Sequence, residues 1–140
     1  MSGVVAICGV GNLGRRYLEG VLYCDSVKVV HVYDISQDSL NACEEVLCRS
    51  GGGRSTESTM EVCLHGSIDA LPTDLDLAIV ATSADVRPQL VDELSSHARV
   101  GHYVLEKVLA QDESGLDRLL DVTSISQAWV NMPRRMLDWH

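Results

Sequence analysis

The chain has 140 residues, 46% of them apolar, a mean hydropathy near zero and a formal net charge of −9. This describes one folded domain with a core of useful size and excludes a disordered chain. No apolar run approaches the ~20 residues of a membrane span, no secretory signal opens the sequence, and the negative charge would repel a nucleic-acid backbone despite the Arg134-Arg135 pair.

Val4–Cys8 is apolar throughout, as a parallel strand covered on both faces requires. Gly9 to Gly11 then turns into a helix expected to carry Leu13, Tyr17, Leu18, Val21 and Leu22 on one face. Val27–Tyr33 reads as the second strand, and Ser36 as the N-cap of a helix through Leu40, Cys43, Glu44 and Leu47. Ser50–Thr56, with its glycine run, reads as a loop. Glu61–His65 is a short third strand, and Gly66 to Asp74 a connecting loop or half-turn.

Leu75–Ala81 is the most strand-like run of the second half. After Thr82-Ser83 a helix turns Val86, Leu90, Val91 and Leu94 inward, with Pro88 in its first turn, where a missing N–H does no harm. Gly101–Leu105 is the fifth strand, followed by a helix capped near Asp112 and carrying Leu116, Leu119, Leu120 and Ile125. Ala128–Asn131 is the sixth strand, ended by Pro133. Alternation of this kind implies a doubly wound parallel α/β sheet, the Rossmann fold, with strand order 3-2-1-4-5-6 over a single domain spanning 1–140.

The five cysteines form an odd set without a CxxC pair, which reads as free thiols in a reducing, cytoplasmic setting. None of the five histidines is read as forming an HxxxH pair or as sitting at ligand spacing to a cysteine, and no metal site is expected.

Chemistry centres on Gly9-Val10-Gly11-Asn12-Leu13-Gly14, a G-x-G-x-x-G run between strand and helix, with Asp34 twenty residues after Gly14 at the end of the second strand. In a dinucleotide site Gly9 permits the tight turn, Gly11 the approach of a pyrophosphate, and Gly14 close packing of helix on sheet. The N–H groups near Asn12 and Leu13 would face the phosphates. The alternative is a tight turn with no ligand. Asp34 would accept from the ribose hydroxyls and repel a 2′-phosphate, which favours NAD over NADP; otherwise it is a capping or surface aspartate. Ile35 would pack on adenine or belong to the core. Thr82 and Ser83 would line the nicotinamide side, cap the next helix, or do both. By position alone Lys107 is a solvated lysine; in a site it would donate a proton or hydrogen bond to a substrate oxygen.

Ala81-Thr82-Ser83 and Leu105-Glu106-Lys107-Val108-Leu109 resemble the nucleotide-binding half of the Gfo/Idh/MocA oxidoreductases, and the resemblance runs through Trp129–Arg135, a segment similar to that of members associated with bacterial surface-polysaccharide sugars. The family's hallmark is a Glu-Lys-Pro element after strand five. The resemblance implies that Lys107 serves substrate binding and catalysis, and that Glu106 and Arg87 stand on the cofactor side. Val108 replaces the proline, and Arg87 stands where many members have a histidine. Members continue into a second α/β domain that supplies much of the substrate pocket, so the chain reads as a cofactor-binding half with little turnover of its own. The expected partners are a nicotinamide dinucleotide and a sugar-like substrate, with a homo-oligomer possible. A non-catalytic nucleotide-sensing module is the second reading, and an S-adenosylmethionine methyltransferase a third, which the glycine spacing fits poorly.

Overall fold

In the computed structural model, which describes residues 3–50, 60–123 and 126–132, strands and helices alternate along the whole chain. They are β1 (Val4–Cys8), α1 (Asn12–Val21), β2 (Val29–Tyr33), α2 (Gln37–Ser50), β3 (Glu61–His65), β4 (Asp74–Val80), α3 (Arg87–His97), β5 (Arg99–Glu106), α4 (Glu113–Thr123) and β6 (Gln127–Asn131). A one-turn 3-10 helix, Ile68–Ala70, interrupts the connection from β3 to β4 and is capped by the Ser67 hydroxyl. The strands form one sheet in the order β3-β2-β1-β4-β5-β6, every pair parallel. This is the doubly wound Rossmann arrangement that the alternation of elements predicts.

Element bounds differ from the apolar runs for local reasons. Val27 closes a turn onto the Cys24 carbonyl, so β2 starts at Val29. Asp74 and Arg99 are register partners that meet as an exposed ion pair at 2.8 Å, and so polar residues open both β4 and β5. The Ser36 hydroxyl caps α2 by accepting the Ser39 N–H. The expected loop from Gly51 onward, Ile125, and the segment from Pro133 lie outside the described residues.

Two cores lie on the two faces of the sheet. Leu18, Leu22, Leu40, Cys43 and Val46 from α1 and α2 pack on Val5, Ile7, Val30 and Val32. Leu90, Val91, Leu94, Leu119 and Val122 from α3 and α4 pack on Ala6, Cys8, Ala78, Val80 and Tyr103. Both sides of the central strands β1 and β4 are covered, which is why their sequences lack alternation, whereas β3 and β6 at the edges bury no residue fully. Leu13 does not join the buried stripe of α1: it is 41% exposed.

Helix α1 reaches the sheet only because Gly14 has no side chain, since a Cβ there would lie 2.0 Å from the Gly9 carbonyl oxygen. Gly14→Ala should therefore destabilise the protein by about 2 kcal/mol or more, read as a lower denaturant midpoint. Gly20→Ala, at an exposed helical position with nothing within 4 Å of the added Cβ, should instead be neutral or stabilising by up to about 1 kcal/mol.

Candidate functional site

At the carboxyl ends of β1 and β4, where the strand order reverses, Gly9, Gly11, Tyr33, Asp34, Ile35, Thr82 and Ser83 line a cleft of about 290 Å³. Open α/β sheets bind ligands at this switch point. Larger grooves exist, about 620 Å³ beside Gly66–Asp69, about 550 Å³ beside His97–Gly101 and about 510 Å³ along α1 from Asn12 to Glu19; of these only the last touches the first turn of α1.

The glycine turn is built from contacts that no side chain would survive. Gly9 has φ +85°, and a Cβ there would lie 2.6 Å from Thr82 Cγ2. Its N–H bonds the Tyr33 carbonyl at 2.9 Å, joining the turn to the end of β2. Gly11 is the N-cap of α1, without a side-chain cap, and its Cβ position faces open space. The first N–H groups of the helix therefore face a surface without a side chain over it, the arrangement that receives an anion.

Asp34 is held from two sides: one carboxylate oxygen accepts the Val10 N–H and the other the Ser36 N–H, each at 2.8 Å. Each oxygen keeps a second lone pair for a hydroxyl donor. Ile35 is 84% exposed, so it is no core residue. The Thr82 hydroxyl oxygen is buried with no hydrogen-bond partner. Neither Thr82 nor Ser83 is the N-cap of α3, because the helix begins only at Arg87 after Val86. The Ser83 hydroxyl instead bonds Asp85 and holds that carboxyl below its usual range.

Asn12 and Leu13 are exposed on the first turn of α1, beside the cleft, and Gly14 is buried beneath it. Arg15, which motif spacing does not single out, donates to the Val10 carbonyl at 3.0 Å and to Asn12 Oδ1 at 2.7 Å, and so puts a cation next to the turn. The thiol of Cys8, just before Gly9, is fully buried and pushed up to about 12 by that burial, which makes it a core group and not a nucleophile.

Residues 4–131 match the family model of Gfo/Idh/MocA, the oxidoreductase family with an NAD-binding Rossmann fold. The chain belongs to this family. Among curated proteins no sequence matches it. Its fold is similar to that of the WlbA dehydrogenase from Chromobacterium violaceum, solved with NADH and UDP-GlcNAcA, at 19% identity and a TM-score of 0.72, over 95% of this chain and 36% of that one. The WlbA dehydrogenase from Bordetella pertussis, solved with the same two ligands, gives 18% identity and 0.71 over 96% and 38%. The myo-inositol 2-dehydrogenase from Lactobacillus plantarum gives 19% and 0.67 over 96% and 38%. The chain thus spans little more than a third of the length of these solved structures.

The Gfo/Idh/MocA Glu-Lys pair divides here into a buried and an exposed half. Glu106 is 7% exposed and accepts hydrogen bonds from the Tyr17 hydroxyl and, at 2.6 Å, from Asn131 Nδ2, which also donates to the Tyr17 oxygen. Burial and then Glu106 raise the Tyr17 phenol well above its ordinary range. Glu106 thus joins α1, β5 and β6 behind the cleft instead of lining it. Lys107 follows, exposed, and the Lys107–Val108 peptide bond is cis.

Arg87 also lies outside the cleft, 2% exposed. Its guanidinium donates to the carbonyls of Thr82, Val108 and, at 3.0 Å, Leu109, so it fastens the end of β4 to the segment after Lys107. Burial pushes the guanidinium below its usual range, with Glu106 opposing. The Tyr17–Glu106–Asn131 set was not visible in the sequence, since its members stand up to 114 positions apart, and the partners of Arg87 are backbone carbonyls, which no side-chain pattern marks. Tyr17→Phe should cost about 1–3 kcal/mol in thermal or denaturant unfolding, because it deprives a buried carboxylate of a donor.

Proposed function

We propose that residues 1–140 form the cofactor-binding domain of an NAD-dependent oxidoreductase that exchanges a hydride with a sugar- or polyol-type substrate. The observation that carries this reading is the open Cβ position of Gly11 at the start of α1, within a chain that matches an NAD-binding oxidoreductase family over residues 4–131. The buried, unpartnered Thr82 hydroxyl supports it from the opposite wall. The substrate class is the one named for the structures of similar fold, whose ligands include UDP-GlcNAcA.

In this reading the first N–H groups of α1 receive the pyrophosphate, and Arg15 adds positive charge next to them. Asp34, already oriented by two backbone donors, accepts the ribose hydroxyls. Ile35 presents an exposed apolar surface to adenine. Thr82 and Ser83 contact the nicotinamide side. Bound nicotinamide supplies the hydride donor or acceptor. Lys107, exposed at the end of β5, gives the substrate oxygen a hydrogen bond or a proton.

Calorimetric titration of the chain with NADH tests this. Saturable binding is expected, tighter for NADH than for NADPH; no saturable heat at millimolar NADH would sink the proposal. Gly11→Ala should weaken binding about tenfold or more while stability falls by no more than about 1 kcal/mol, the scale of an N-cap change. Asp34→Ala should weaken NADH binding and narrow its advantage over NADPH, since the carboxylate that repels a 2′-phosphate is gone.

A further inference from the structure

On the β2–β3 edge, away from the glycine turn, His31 Nδ1 and His65 Nε2 face each other at 3.0 Å, their rings stacked with centroids 5.2 Å apart. The Cys63 sulfur belongs to the same cluster, in which one ligand atom from each residue lies within 4.8 Å of the others. The cluster follows from register and alternation. His31 pairs with Cys63 across the β2–β3 ladder, and His65, two residues further along β3, returns to the same face. Val30, Val32, Val62 and Leu64 point to the opposite face, against α2. All three members of the cluster are half-buried.

We propose that His31, Cys63 and His65 bind a single zinc-class divalent ion. Two imidazoles and a thiolate are a donor set that selects zinc and its neighbours over magnesium or calcium. In a tetrahedral site with bonds of about 2.0–2.3 Å the ligand atoms lie roughly 3.4–3.6 Å apart. The two nitrogens, at 3.0 Å, have to part by a few tenths of an ångström, and the sulfur, within 4.8 Å of both, has to close by about 1 Å at most. The Cys63 thiol faces Glu61, whose Oε1 lies 3.5 Å from the sulfur. Metal binding displaces the thiol proton to solvent, and Glu61 or water stands at the fourth position.

Such an ion would cross-link the side chains of the outermost strand to its neighbour. The link continues toward the cleft, because the His65 carbonyl accepts the Asp34 N–H at 3.2 Å. The site is independent of the dinucleotide reading, and so is its test.

The untagged, chelator-treated chain is titrated with Co²⁺ and followed by absorption. One equivalent should produce tetrahedral d–d bands together with a thiolate-to-cobalt charge-transfer band, and Zn²⁺ should bleach both. Cys63→Ser should abolish the charge-transfer band while the chain still folds. His65→Asn and His31→Asn should each weaken binding on the order of 10–100-fold or more. Zn²⁺ should raise the Tm of the wild-type chain and leave that of the double histidine variant unchanged. Circular dichroism of the metal-free variants separates loss of a ligand from loss of fold. Absence of a saturable cobalt spectrum overturns the proposal. So does a charge-transfer band that survives in Cys63→Ser, which would put the metal on another thiol such as exposed Cys24 or Cys48. Unchanged affinity in His65→Asn overturns it as well.

Discussion

The structure depends on a close approach that side chains would prevent. Gly14 lies against the Gly9 carbonyl, and Gly9 lies against Thr82, with Cβ positions that would come to 2.0 and 2.6 Å of their neighbours. These two contacts bring α1, β1 and the end of β4 within reach of one another. Asp34 completes the arrangement from β2 by accepting the Val10 N–H in the middle of the turn. Three strands and a helix N-terminus thus converge on a few residues, and the cleft is the space they leave. Gly11 differs from its two companions in having nothing to collide with. Its small size has no packing role, and under the proposed function it leaves room for the cofactor's approach.

The parts legible in the sequence are those set by local pattern. Six apolar runs separated by helical periodicities specify a parallel sheet, and handedness rules leave few strand orders to choose from. Gly9, Gly14 and Asp34 were readable because the turn has a fixed spacing within one strand–helix–strand unit. Arg87 was not. As a polar residue at the start of a helix it looks like surface or ligand contact, and only the tertiary structure brings it under the Thr82, Val108 and Leu109 carbonyls. The contacts of Glu106 were not legible for the same reason, its donors coming from α1 and β6. Leu13 fits the helical stripe by spacing, yet it is left 41% exposed.

The histidine–cysteine cluster shows how the choice of template limits a reading. An HxxxH search assumes a helix, where ligands four apart share a face. On a strand the equivalent spacing is two, and Cys63-Leu64-His65 has it. The third member comes from a different strand, and whether His31 falls opposite Cys63 or one residue away depends on register. A slip of one residue would turn His31 toward α2. No pattern within β3 alone contains that information.

Register and alternation also account for the two halves of the Glu-Lys pair. Successive residues at a strand end point in opposite directions. Glu106 therefore turns into the protein, where Tyr17 and Asn131 satisfy its charge, while Lys107 emerges into solvent. A buried carboxylate without donors would be costly, so the Tyr17 and Asn131 contacts are a condition for placing the pair at this edge. They also connect the edge to α1, the helix whose N-terminus opens on the cleft. The exposed lysine is thereby held relative to the glycine turn through Glu106, α1 and the sheet. A lysine on an untethered loop would have no fixed relation to a cofactor in that cleft. Under the proposed function the buried glutamate would provide one, and that would be a physical reason for the two residues to occur side by side.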